Sequence, residues 1–476
     1  MMFQVVFSLS VALAQAALLQ TQNNTFNSTF RLTAAQAKAA NLSDELAQQV
    51  EIALNYGRSN NAGSLTQNDP FYALPSHIDS NDLPPPGSIL KVEEHTNTTY
   101  YTIPPTLSMS RFLYVSEALN GTSIPASAYV LWPFRPRRFP RLDPCAEGNS
   151  STYPLVGLAH GTSGQTQACA PSNLRNLWDN FYESFTLALA GYAVVAPDYA
   201  GLGIPEMPTP YFIFPSHAND LFHAIAAAQS QWSQLLSHDF VIAGQSQGGG
   251  TIWSAAQRQA VRPVPGYLGA MAASPFTNVL ADINGEDDTQ VNVRVVGIAQ
   301  GLDSVLSNFT AAQWLTNAGI ARLNLLKELK GCSATAGQLF SSIQGIDFLQ
   351  PKWNTTAAAS WYQDNVSKGG QLFAGPMLVL QGTADGNAIE SVTTTAINAT
   401  CKAFPKSTLH YSRYQAVTHS PIMFAAHNEW LDWNTDRFKG LPAGKGCTME
   451  TIEAVRGSAN VVKNQNWVIE YNVYGI

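Results

Sequence analysis

The sequence predicts an α/β fold: a mostly parallel sheet with helices on both faces, interrupted by a helical insertion. Three observations carry that reading. After residue 153, continuous apolar runs alternate with helical stretches, the pattern of strands buried on both faces of a parallel sheet. Between residues 280 and 370 the alternation lapses, and clusters such as Leu323-Asn324-Leu325-Leu326-Lys327-Glu328-Leu329 recur at helical spacing. One apolar run, Val241-Ile242-Ala243, stops at Gly244-Gln245-Ser246-Gln247-Gly248 and leads through Gly249-Gly250 into a helix start.

In chain order, residues 1–16 read as a secretory signal. Val5 to Ala14 is an apolar core and Ala14-Gln15-Ala16 fits a small-x-small cleavage site, although no Lys or Arg precedes Arg31. The apolar run falls short of the ~20 residues that span a bilayer. Residues 17–68 form an N-terminal extension with helix-forming composition over 32–56. The core covers residues 69–279 and 371–448. Asp69-Pro70-Phe71-Tyr72 and Pro84-Pro85-Pro86-Gly87 punctuate its loop-rich start. Strands are expected at 111–116 and 128–132, with a turn at Asn120-Gly121, and then at 155–159, 192–196, 241–245, 267–272, 376–380 and 409–414. Helices are expected at 178–189, 221–229, after Ser246, and at 423–433. Residues 280–370 are the insertion, and 449–476 a C-terminal tail without an assigned role.

At 476 residues the chain can bury a large core together with a sizeable insertion. Charged residues make up only 12% and the net charge is −7. The one basic run, Arg135-Pro136-Arg137-Arg138, reads as a solvated loop, which argues against nucleic acid as a partner. Ten Asn-x-Ser/Thr sequons, at Asn23, Asn27, Asn41, Asn97, Asn120, Asn149, Asn308, Asn354, Asn365 and Asn398, accompany the signal and point to a secreted, extracellular glycoprotein. Five cysteines in an oxidising compartment suggest two disulfides and one odd thiol. Cys-x-x-Cys and His-x-x-x-His spacings are absent, so no metal site and no cofactor are expected.

The Gly-x-Ser-x-Gly stretch has the form of a nucleophile elbow, with Ser246 on a tight strand-to-helix turn. A serine hydroxyl needs a base to take its proton, and the base needs an orienting carboxylate. On α/β-hydrolase sheets these follow in the order Ser, Asp or Glu, His. Asp385 ends the run Pro376-Met377-Leu378-Val379-Leu380-Gln381-Gly382-Thr383-Ala384, the placement expected of the acid; the competing reading is a turn aspartate in Asp385-Gly386. His419, in Val417-Thr418-His419-Ser420-Pro421, follows the last strand and is the expected base. His410 lies inside a strand and His427 on the closing helix, where packing and surface roles are simpler. An oxyanion needs two fixed donors. Gln247 N–H, directly after the nucleophile, is one. Thr162, in His160-Gly161-Thr162-Ser163-Gly164, is chosen for the other, with its hydroxyl as an added contact and Gly161 as the open alternative.

These segments, with Cys169-Ala170-Pro171-Ser172, Gly191-Tyr192 through Gly201-Leu202-Gly203, and Asp436-Arg437-Phe438-Lys439-Gly440 before Cys447, resemble the fungal and bacterial secretory lipases, the lipase A-like α/β-hydrolases. The resemblance covers roughly residues 69–447. It implies the α/β-hydrolase fold with an inserted helical cap, a Ser246–Asp385–His419 triad, and disulfides Cys169–Cys332 and Cys401–Cys447, with Cys145 free or paired between molecules. It also implies a serine carboxylic-ester hydrolase, foremost a triacylglycerol lipase acting through an acyl-enzyme. The expected partners are a lipid or small-molecule ester substrate and, transiently, a lipid interface, with the chain a monomer. The alternatives are a short-chain esterase or deacetylase of acylated metabolites, and a non-catalytic binding protein on the same fold. An aminopeptidase would need an amine-binding acidic cluster, for which Glu286-Asp287-Asp288 is the one candidate. Leu202, Ile204, Phe212, Ile213, Phe214 and Phe276 are candidates for a pocket lining or, more simply, for the core.

Overall fold

The structure, a computed structural model, describes residues 30–80, 82–140, 142, 152–205, 207–283, 288–341 and 345–461. The expected signal segment, Asn23, Asn27, Cys145, Asn149, Glu286, Asp287 and the tail beyond residue 461 lie outside the described residues.

Two helices open the chain. Thr33 caps α1 (Ala34–Ala39) through a reciprocal pair with Gln36, and Ser43 caps α2 (Asp44–Ser59). Asn41, at φ 50°, breaks the helical pattern between them. Strands β1 (Ile89–Glu93), β2 (Ser108–Glu117) and β3 (Ser123–Trp132) then form an antiparallel meander. Alternation of strand and helix follows: β4 (Tyr153–Ala159), α3 (Ser184–Leu189), β5 (Ala193–Pro197), α4 (Phe214–Gln231), β6 (Leu236–Gln245), α5 (Gln247–Val261) and β7 (Tyr267–Ala273). Between β7 and the next strand run α6 (Val279–Asp282), α7 (Asp288–Val305), α8 (Asn317–Leu329), α9 (Ser333–Leu339) and α10 (Ala357–Val366). The sheet resumes with β8 (Met377–Gly382), α11 (Glu390–Ala403), β9 (Leu409–Tyr414), α12 (Ile422–Ala425), α13 (His427–Lys439) and β10 (Cys447–Ile452).

One sheet of ten strands results, in the order β1-β2-β3-β5-β4-β6-β7-β8-β9-β10. From β5 to β10 every neighbouring pair is parallel. Side chains alternate between two cores, as the strand period of two requires. Phe240 and Ile242 of β6 face a core shared with Leu221, Phe222 and Ile225 of α4 and Ile252 and Trp253 of α5. Val241 and Ala243 face the other, shared with Phe185 of α3 and Trp430 and Phe438 of α13. A third cluster lies outside the sheet. It joins Val295, Ile298 and Leu302 of α7, Leu326 of α8, Leu339 of α9 and Tyr362 of α10 to Phe212, Phe214 and Phe276 of the core and to Val50 and Leu54 of α2. Each such fully buried side chain contributes about 1.5–3 kcal/mol.

The structure departs from the sequence expectation in six places. β1 was not among the expected strands. The helix expected over 178–189 begins only at Ser184, because Leu177, Trp178 and Asn180 take positive φ of 53°, 67° and 36°. The helix at 221–229 extends back to Phe214, with Pro215 in its first turn. The closing helix is broken at Ala426 and runs on to a Gly440 cap at φ 73°. α11 was not expected, since Thr393-Thr394-Thr395 lowers helix propensity. Residues 447–452, partly assigned to the tail, form β10 on β9. Among the described residues, no helix is long and apolar enough to cross a membrane.

Candidate active site

Backbone geometry places the nucleophile candidate first. Ser246 follows β6 at φ 63° and ψ −122°, a conformation that few residues other than glycine adopt. Its N–H is held by Ala273 O at 2.9 Å. A Cβ at Gly244 would lie 2.6 Å from Ala159 O, and one at Gly248 would overlap the same atom, so the elbow closes only with glycine at both positions. Ser246 stands immediately before α5, whose N-terminal N–H groups carry the positive end of the helix dipole.

His419 reaches Ser246 from the loop after β9. Its Nε2 lies 2.8 Å from Ser246 Oγ, and its Nδ1 lies 2.9 and 3.0 Å from the two oxygens of Asp385. Asp385 is fixed in turn. Its Oδ1 accepts from the N–H groups of Asn387 (2.9 Å) and Ala388 (3.0 Å), and its Oδ2 accepts from Gln381 Nε2 at 3.2 Å. The two loops are zipped together by Thr383 N–H to Tyr414 O at 3.0 Å, Ala384 N–H to Val417 O at 3.0 Å and Ala416 N–H to Thr383 Oγ1 at 2.8 Å. Gln245 Nε2 also donates to His419 O at 3.2 Å, which ties the elbow to the His419 loop. The Asp385 side chain is fully buried, while that of His419 keeps 13% exposure. The phenyl ring of Phe276 stands 6.0 Å from the imidazole.

The loop after β4 lies beside the elbow. Thr162 Oγ1 donates to Gln247 Oε1 at 3.0 Å, so that hydroxyl is engaged rather than open to a substrate. Among the described residues, the backbone N–H groups of Thr162 and Gln247 have no protein partner. Behind the loop, Gly161 N–H donates to Asp179 Oδ2 at 3.3 Å. Asp179 and the neighbouring Glu183 are both buried, and burial pushes the Asp179 carboxyl up to about 7 and that of Glu183 well above its ordinary range. Tyr199 OH donates to His160 O at 3.0 Å, and the Tyr199 ring stacks between His160 (4.1 Å) and His217 (4.2 Å). Burial holds His160 down at about 4, so it is neutral in this site. Sequence reasoning quoted His160, Gln245 and Tyr199 only as members of motif segments, without a role, and passed over Asp179 and Glu183, which nothing local marks.

The other expected residues fall as follows. Cys169 is bonded to Cys332 and Cys401 to Cys447. The seven described sequon residues, Asn41, Asn97, Asn120, Asn308, Asn354, Asn365 and Asn398, are all exposed. Leu202 and Ile204 pack in the sheet core, whereas Phe212, Ile213, Phe214 and Phe276 belong to the cluster beneath the inserted helices. His410 lies on β9, with Nδ1 at 2.7 Å from Thr448 Oγ1 and Nε2 at 2.9 Å from Glu450. With Glu429 it forms a partly exposed group whose donor atoms lie within 4.8 Å of one another.

No family model and no curated protein matches the sequence. Solved structures do match the fold. Candida antarctica lipase A in its closed state superposes with a TM-score of 0.63 at 14% identity, over 80% of this chain and 88% of that one. A ligand-bound form of LipA, the rice cell wall degrading esterase from Xanthomonas oryzae, superposes with a TM-score of 0.58 at 16% identity, over 74% of this chain and 100% of that one. The chain has the α/β-hydrolase fold. In α/β-hydrolase terms, Ser246 stands at the elbow after β6, Asp385 just after β8 and His419 after β9, and the helices from α6 to α10 enter between β7 and β8.

Proposed function

We propose that this chain is a secreted serine carboxylic-ester hydrolase of the lipase A-like kind, with Ser246 as nucleophile, His419 as general base and acid, and Asp385 as its orienting carboxylate. The observation that carries the reading is the continuous hydrogen-bonded line from Ser246 Oγ through both His419 nitrogens to Asp385. Ser246 Oγ attacks the ester carbonyl while Nε2 takes its proton. Asp385 keeps the other proton on Nδ1 and stabilises the imidazolium. The Gln247 and Thr162 N–H groups hold the oxyanion. The intermediate collapses with loss of the alcohol, which takes its proton from Nε2. Water then attacks the acyl-enzyme by the same path and releases the acid.

Acyl-glycerols are the foremost substrate class. Phe276, beside His419, belongs with Phe212 and Phe214 to an aromatic cluster buried beneath the inserted helices, so the ground next to the imidazole is apolar, as an acyl chain requires. Small soluble esters are the second reading, and the tethering of the inserted helices to the core through Cys169–Cys332 favours them, since a tied cap opens less at an interface. Secretion is supported by the signal-like N-terminus, the two disulfides and the exposed sequons.

The test is hydrolysis of esters from acetyl to palmitoyl, below and above their micelle concentration. A jump at the interface with rising chain length supports the lipase; a peak at acetyl without a jump supports the soluble-ester esterase. Ser246→Ala should lower kcat by roughly 10⁶-fold and abolish labelling by an alkyl phosphonate, with an unchanged circular dichroism spectrum. Failure of the wild type to take the label would favour a binding protein.

A further inference from the structure

We propose that Ser333, carried by the inserted helices, is a positioning residue for the oxyanion loop; this rests on the ester-hydrolase reading above. The direction of Thr162 N–H is set by the peptide unit it shares with the Gly161 carbonyl, because the peptide is planar and trans. His160 Nδ1 donates to Gly161 O at 2.6 Å and so fixes that plane. Nε2 also faces a carbonyl, Asp198 O at 3.4 Å; a carbonyl can only accept, so the single proton of the neutral imidazole sits on Nδ1, against the much closer Gly161 O. The preceding peptide unit is held at both ends, its carbonyl by Tyr199 OH at 3.0 Å and its N–H by Asp179 at 3.3 Å. The sheet domain therefore secures the upstream half of the loop by itself.

The downstream half is secured from the insertion. Ser333 Oγ donates to Thr162 O at 3.0 Å, and Ser333 N–H donates to Ser163 O at 3.2 Å. Among the described residues, these two carbonyls accept from no other group. Ser333 opens α9, so its N–H is one of the donors that a helix start leaves without an internal partner. The residue before it, Cys332, is bonded to Cys169, and Thr166 Oγ1 donates to Gly331 O at 3.3 Å. Three consecutive residues, Gly331, Cys332 and Ser333, thus staple the insertion to the loop. The loop's next residue, Gly164, has φ 150°, and a Cβ there would lie 2.6 Å from Cys169 Sγ and 3.0 Å from Cys332 Cα, so glycine lets the loop pack directly on the disulfide.

A donor that must be in place before charge develops acts on the transition state and not on substrate binding. Loss of the Ser333 hydroxyl should therefore lower kcat and leave KM alone. The experiment compares the wild type, Ser333→Ala and Ser333→Thr on a soluble p-nitrophenyl ester, with phosphonate titration of Ser246 to count active sites and a thermal midpoint for each. Ser333→Ala should lose roughly 10-fold in kcat with KM within about twofold, and an alkyl boronic acid that mimics the tetrahedral intermediate should bind more weakly by a similar factor. Ser333→Thr, which restores a hydroxyl, should recover most of both. An unchanged kcat in Ser333→Ala overturns the proposal, as does an equal loss in both variants that tracks a fall in thermal midpoint. A wild type that neither turns over ester nor takes the label overturns the hydrolase reading, and this inference with it.

Discussion

Ser246 holds φ 63°, a backbone state that costs of order 1–3 kcal/mol and persists only where its surroundings over-determine it. Here Ala273 O, the close approach of Gly248 to Ala159, and the start of α5 do so. The same economy of position governs Asp179. It accepts Gly161 N–H from a site where only 6% of its surface reaches solvent, and burial lifts its carboxyl from 3.8 to about 7. An acid raised in the folded state keeps its proton at pH values where the unfolded chain has released it. Its contribution to stability therefore falls as pH rises from 3.8 through about 7. Asp179→Asn keeps a carbonyl oxygen for Gly161 and has no proton to lose. The thermal midpoint of this variant, relative to the wild type, should climb steadily between those pH values. Calorimetry at matched ionic strength would show it, and a difference independent of pH would contradict the protonated state assigned to Asp179.

At the scale of elements, several segments that carry the family resemblance turn out to be one clamp rather than chemistry. Asp69 Oδ1 accepts Phe71 N–H at 2.9 Å, and its Oδ2 pairs with Arg111 of β2 at 2.7 Å. Arg111 grips Glu93 of β1 with two bonds of 2.9 Å and lies 4.2 Å above the Phe71 ring. Tyr72 OH meets Ser172 Oγ at 2.7 Å, and Ser172 Oγ donates a hydrogen bond to Asp198 Oδ2 at 2.6 Å, which also accepts from Ser127 Oγ at 2.6 Å. The antiparallel meander is thereby locked to the end of β5. Removing one member of a partly buried ion cluster leaves carboxylates that water can still reach, so Arg111→Ala should destabilise by about 1–3 kcal/mol, measured by urea unfolding, with kcat per folded molecule nearly unchanged. Strand legibility follows the same physics. β4 to β9 read clearly because burial on two faces demands apolar runs, whereas exposed β10 carries no such demand and is held by β9 and by the bond from Cys447 to Cys401 in α11.

Across the whole molecule, the N-terminal helices and the insertion form one body. Arg322 of α8 is 1% exposed and donates to Leu339 O at 2.6 Å, Ala40 O at 3.3 Å and Asn41 O at 3.3 Å, with its guanidinium 4.8 Å above the Phe348 ring. Arg322→Met fills similar space without a donor. It should cost about 2 kcal/mol or more and speed proteolytic cleavage within residues 41–59, read by mass spectrometry of the fragments, while leaving phosphonate labelling of Ser246 intact. The sequence by itself determined the alternating core, the elbow at Ser246, and the order that singled out Asp385 and His419, since each has a local signature: an apolar run, a glycine pair, or a place after a strand. Tertiary structure alone decided what holds that chemistry in shape. Ser333 meets Thr162 across 171 residues, Gln245 meets His419 across 174, and Arg322 meets Ala40 across 282. A hydrogen bond between residues so far apart depends on where the chain returns in space, and it leaves no periodicity in the sequence on either side.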